Sequence, residues 1–284
     1  MNTDKRLRNQ VLHQRKLLIG LLLAAILAVD AAVGAAVFDH RHDARWPDFL
    51  VDLWGALALS QTALVAIWAG FGRSYVAIRV ATLMGTAVGW GALLVSSLEW
   101  FGSAPWSEMA FSVWTSTLSC QALMICLPLG LARLSGFGIA SPGDNAGRAG
   151  PLRRFQFSIA NLLAWTTAVA VILGFVSCLR EPFRQAAKAS GGISWVPLSK
   201  FCFGQAVVGL AVLWGALGTG RRGWRAAALV GAFVAAIFVH DRWADMTIDS
   251  VSRYGQLCLL DAALIFGPLW VFRVAGYRVI VGRG

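Results

Sequence analysis

Charge is what this 284-residue chain has least of: Asp, Glu, Lys and Arg make up 14% of it, against 57% hydrophobic residues and a mean hydropathy of +0.64. Soluble domains carry roughly a quarter of their residues as charges, so a water-soluble globular body is excluded. The chain also lacks a glycine-rich phosphate loop, a C-x-x-C pair and any ligand-like spacing among its five Cys. Those absences remove the usual signatures of nucleotide, zinc and redox sites, and no cofactor is expected. Long polar connections are missing as well, so the apolar segments themselves are the protein.

Eight apolar stretches are present: Leu17 to Phe38, Phe49 to Phe71, Val80 to Leu98, Met109 to Leu131, Phe157 to Leu179, Phe201 to Thr219, Ala226 to Val239 and Gln256 to Phe272. A bilayer core takes about 20 apolar residues per helical crossing. The seventh stretch is short enough for a re-entrant or buried segment, although Gly223 and Trp224 extend it and Arg225 can snorkel to the interface. These runs are continuous rather than alternating, which excludes a lipid-facing β-barrel and leaves helices to satisfy the backbone. The expected fold is all-α, a polytopic transmembrane bundle of about eight helices with both termini cytoplasmic.

Orientation follows from the basic residues, because translocating Lys or Arg is disfavoured. With the N-terminus inside, 17 of the 25 Lys and Arg fall in cytoplasmic segments, including Arg73, Arg79, Arg133, Arg153, Arg154, Arg225 and Arg273. The other 8 lie outside, half of them in one connection, Arg180 to Lys200. That connection reads either as a loop meeting lipid headgroups or as an anion-attracting vestibule. Nine of the 14 acidic residues fall in the outer connections. A basic inner face under an acid-richer outer one points to the bilayer and its anionic inner-leaflet lipids as partners, and not to nucleic acid. The first stretch has the layout of a secretory signal, but its apolarity runs on to Phe38, so a retained anchor is expected.

Residues 136–156 are rich in Gly, Pro, Ser and Asn and form the best linker. They divide the chain into two four-crossing halves, 1–135 and 157–284, with no evident residue-level repeat between them. After the linker comes Arg154-Phe155-Gln156-Phe157-Ser158-Ile159-Ala160-Asn161-Leu162-Leu163, then a Thr-, Val- and Ala-rich apolar run. This resembles a segment of uncharacterised multi-pass membrane proteins of planctomycete bacteria, which read R-F-x-F-S-[LI]-x-x-L-L. The resemblance covers under a tenth of the chain; it implies a bacterial inner-membrane protein and transfers no catalytic residue. In that group the segment usually opens the first membrane helix, whereas here it opens the fifth stretch.

Small residues mark expected helix contacts: Ala24, Ala28, Ala32 and Ala36 in the first stretch, Gly85 and Gly89 in the third, Gly231 and Ala235 in the seventh. The Cys read as small buried hydrophobes, although Cys178, Cys202 and Cys258 stand near the outer face, where a disulfide is chemically feasible.

Two sets of polar residues are candidate sites. Asp30 lies eight residues from the outer end of its stretch, about 12 Å at the helical rise. It reads either as a carboxyl hydrogen-bonded to a neighbouring helix or as a proton or cation site supported by Gln61, Gln121 and Gln205. Asp52 and Asp261 read as interfacial. The second set, His40, His42, His240 and Asp241, joins two outer connections and offers a zinc or copper constellation of no specific spacing. The readings that follow are a structural or accessory membrane protein without turnover, a small-solute or proton-coupled transporter using Asp30, and an outer-face metal-dependent membrane enzyme.

Overall fold

A computed structural model describes residues 48–71, 75–99, 107–134, 137–140, 195–218, 222–241 and 248–281, and most of 17–36. Seven helices run through them: α1 (Gly20–Ala36), α2 (Asp48–Phe71), α3 (Val76–Glu99), α4 (Ser107–Leu134), α5 (Trp195–Leu217), α6 (Arg222–Asp241) and α7 (Ile248–Val274). They match seven of the eight apolar stretches; the fifth, 157–179, lies outside the described residues. Within α2, α3, α4 and α7, Asp52–Phe71, Val76–Ser96, Val113–Arg133 and Tyr254–Val274 are long and apolar enough to cross a membrane. The doubtful seventh stretch is a helix of 20 residues, because Arg222 to Arg225 join its first turn instead of preceding it.

Two four-residue strands, β1 (Phe137–Ala140) and β2 (Arg278–Val281), add an element that the all-α expectation lacked. They pair antiparallel with Ile139 opposite Val279. The turn into β2 is built by Gly276, whose φ of 93° is left-handed. Gly276 N donates to Arg273 O and Tyr277 N to Phe272 O, at 2.9 and 3.0 Å. This is a Schellman end, and the ring of Phe272 meets that of Tyr277 edge-on, with centroids 5.5 Å apart.

The helices pack in matched pairs. α2 lies against α3 and α4, while α5 lies against α6 and α7; across the halves α2 packs on α7 and α4 on α5. Exchanging α2 with α5 and α4 with α7 leaves this set of contacts unchanged. With the helices so matched, a sequence correspondence emerges. Leu64, Trp68, Arg79, Ala81, Leu83, Gly85 and Val88 recur at one constant spacing as Leu210, Trp214, Arg225, Ala227, Leu229, Gly231 and Val234. At a second spacing Ala122, Ile125, Pro128, Leu129, Arg133 and Gly136 recur as Ala262, Ile265, Pro268, Leu269, Arg273 and Gly276. Ile139 and Val279 are equivalent in the second series and face each other in the β pair, as a two-fold axis through that pair requires.

Four arginines obey the same relation. Arg79 Nη1 donates to Ala69 O at 2.6 Å, and its equivalent Arg225 to Gly215 O at 3.3 Å. Arg133 Nη1 donates to Gly70 O, and its equivalent Arg273 to Ala216 O. Both sets cap the last carbonyls of a helix, α2 in one case and α5 in the other, where intrahelical donors run out and the helix dipole favours a cation. All four therefore stand at one end of the bundle, beside the β pair.

Close approach between helices depends on glycines other than the expected ones. Cβ atoms added at Gly85, Gly89 and Gly231 would meet nothing within 4 Å, whereas at Gly91 one would overlap Thr115, at Gly70 Leu129, and at Gly204 the Tyr254 hydroxyl. Among the described residues the G-x-x-x-G pair faces outward, as do Ala24, Ala28 and Ala32.

Candidate functional site

Asp30 of α1 does not stand alone in the apolar segment. Its Oδ2 accepts a hydrogen bond from Gln61 Nε2 of α2, and Gln61 Oε1 accepts one from Trp90 Nε1 of α3 at 3.2 Å. Trp54 packs edge-on against Trp90, with centroids 5.1 Å apart, and the Trp54 ring also touches the position of Gly34. Three consecutive helices are thus joined by one polar chain inside an aromatic seam. Gln61 is suited to this because its amide donates to the carboxylate and accepts from the indole at once. Asp30 Oδ1 is buried with no hydrogen-bond partner among the described residues.

Gln121 and Gln205 do not join this chain. Gln205 of α5 is fully buried and donates from Nε2 to Cys258 Sγ of α7 at 3.5 Å. Gln121 of α4 is fully buried, and neither its Nε2 nor its Oε1 has a partner among the described residues. The expected support of Asp30 by three amides is corrected to support by Gln61 alone, since α4 and α5 present their amides to the seam between the halves.

Asp261 is the residue that sequence reasoning misplaced. It is 0% exposed, stands well inside the Tyr254–Val274 span, and both carboxyl oxygens lack a partner among the described residues. The signal that marks it is its equivalence with Gln121, visible once the helices are matched: Gln121-Ala122-x-x-Ile125 recurs as Asp261-Ala262-x-x-Ile265.

The cysteines are free thiols used as weak donors between helices. Cys126 Sγ donates to Ala66 O at 3.3 Å and Cys202 Sγ to Thr117 O at 3.4 Å. Cys202 and Cys258 face the core and are not joined to each other; Cys178 lies outside the described residues. His40 and His42 lie outside them too, and His240 and Asp241 close α6 with only their backbones described. Among the described residues no group of three His, Cys, Asp or Glu is placed to hold a metal ion.

One cavity of about 530 Å³ opens between α1, α2 and α7. Leu22, Ile26, Trp68, Phe71, Pro268 and Phe272 line it, and no Asp, Glu, His, Lys or Arg reaches it. Asp30 is therefore held in a seam rather than in a chamber, which suits a helix cross-link better than a transport site. No family model matches the chain, and no curated protein or solved structure is similar to it.

Proposed function

We propose that this chain is a multi-pass protein of a bacterial inner membrane, with eight crossings and both termini cytoplasmic, acting as a structural or accessory membrane component without turnover. The Asp30–Gln61–Trp90 chain carries the reading: the one carboxylate the sequence offered as a transport site serves to tie α1, α2 and α3 together. The cytoplasmic assignment rests on the basic-residue count, and it is supported by Arg79, Arg133, Arg225 and Arg273 gathering at one end of the bundle. Basic residues beyond these four are left to meet anionic headgroups on that side. The two matched sets of helices are two halves of one duplicated bundle, related by an axis along the membrane normal because equivalent helices run in the same direction.

Purified protein in sealed liposomes tests the reading. No proton or solute flux is expected from the wild type, and Asp30→Leu is expected to lower thermal stability. A flux in the wild type that Asp30→Asn abolishes would return the protein to the transporters. Reporter fusions at either terminus that read as external would overturn the orientation.

A further inference from the structure

Gly209 of α5 is where the two halves come closest. A Cβ there would lie 3.9 Å from Ala63 Cβ of α2, 3.5 Å from Ile125 Cδ1 of α4 and 3.7 Å from Ile265 Cδ1 of α7. Ala63 and Gly209 are equivalent positions, and so are Ile125 and Ile265. Two equivalent pairs meeting at one point put the pseudo-two-fold axis there.

One helical turn earlier on the same faces stand Leu59, Gln205, Gln121 and Asp261. All four are 0% exposed. Two cross-links confirm that they share a level. Cys202 Sγ bonds Thr117 O, and the next turn of α5 and of α4 brings Gln205 and Gln121. Gln205 Nε2 meets Cys258 Sγ, and the next turn of α7 brings Asp261. Gln205 Oε1, Gln121 Oε1 and both Asp261 oxygens have no partner among the described residues. A carboxylate and two amide oxygens from three helices therefore gather at the axis, in the part of a membrane protein where uncompensated polar groups are least tolerated.

The donor set selects the ligand. Hard oxygens suit hard cations, and a single carboxylate balances a single positive charge; the imidazole and thiolate sets that transition metals prefer are not assembled here. We propose that Gln121, Gln205 and Asp261 form a binding site for one alkali-metal cation at the pseudo-two-fold axis, which clamps α4 of the first half to α5 and α7 of the second. The clamp is independent of whether the protein transports anything, because it acts on the cohesion of the halves.

Thermal unfolding of the full chain in detergent, followed by Trp fluorescence at fixed pH and ionic strength, tests it with lithium, sodium, potassium or choline chloride. At least one alkali cation is expected to raise the unfolding midpoint saturably, and choline to leave it unchanged. Asp261→Asn is expected to weaken the half-saturating concentration by about 10- to 100-fold, the factor carried by one charge-assisted contact, while Asp30→Asn leaves it unaltered. Equal midpoints in all four salts overturn the proposal, as does an Asp261→Asn protein that retains the response. A midpoint that moves with pH but with no alkali cation overturns it in favour of a proton. If Asp261→Asn does not fold, Gln205→Leu carries the test: an unchanged half-saturating concentration overturns the site.

Discussion

Gly91→Ala is the substitution whose outcome the packing of α3 on α4 decides most directly. A methyl group at Gly91 would overlap Thr115 Oγ1 and come within 3.3 Å of its Cβ and 3.5 Å of its Cα. The last of these is backbone, so rotating the Thr115 side chain does not clear the space and the two helices must part. Forcing one extra methyl into a packed seam costs about 1 to 3 kcal/mol. Replacing a helical Gly by Ala returns roughly 0.5 to 1 kcal/mol of backbone entropy, which leaves a net loss of about 1 to 2 kcal/mol from those two terms. Gly89 lies two residues earlier on the same helix and has nothing within 4 Å of its added Cβ. Gly89→Ala is therefore expected to keep the gain without the clash, and to be more stable than the wild type by about 0.5 kcal/mol or more. The measurement is unfolding of each variant in mixed micelles of rising SDS fraction, followed by far-ultraviolet circular dichroism. Thr115→Ala in the Gly91→Ala background removes the overlapping oxygen and should recover about half of the loss. A Gly91→Ala protein as stable as Gly89→Ala would refute the packing of α3 on α4 described above.

Three further outcomes are expected. Gly204→Ala drives a Cβ into the Tyr254 hydroxyl and should cost about 1 to 3 kcal/mol, with Tyr254→Phe in the same chain restoring most of it in the same unfolding assay. Arg273→Leu removes hydrogen bonds to Ala216 O and Gly218 O; after a discount for partial exposure the loss is about 2 kcal/mol, and Arg273→Lys should recover part of it, whereas a variant within error of the wild type would show the cap to be idle. Trp90→Phe keeps the ring against Trp54 but removes the indole donor to Gln61, so a loss of about 0.5 to 1.5 kcal/mol is expected, and it should vanish when Gln61→Leu is already present.

Much of the framework was legible in the composition and the spacing of apolar runs. The described helices coincide with seven of the eight stretches, because a continuous apolar run of that length has no other way to satisfy its backbone. Asp30 and Gln61 were also legible, since a carboxylate that deep demands a partner and an amide on the next helix is a natural one. Gln121 and Gln205 were recognised as membrane amides but assigned to the wrong carboxylate. Sequence spacing gives the face of a helix a residue occupies and not which helix lies opposite; here α4 and α5 turn theirs to the seam between halves. Asp261 was read as interfacial from its distance to the end of an apolar run, while α7 begins well before that run, at Ile248, and carries Asp261 inward. The glycine pattern failed for a related reason. G-x-x-x-G records that two small residues share a face, but Gly91, one turn stagger away, is the one that meets α4.

Length, apolar periodicity and the distribution of Lys and Arg by themselves determined a helical membrane bundle, its segment boundaries to within a turn, and which arginines share a side. These are properties of a segment against its solvent, and they need no knowledge of neighbours. Only the tertiary structure decided which polar groups meet, that each helix end is capped by arginines from two other helices, and that the halves repeat. The repeat stayed hidden because lipid-facing positions tolerate any apolar residue. What the two halves share is confined to contacts made in three dimensions: the arginine caps, the proline-bearing helices, and the buried layer at the axis where Gln121 answers Asp261.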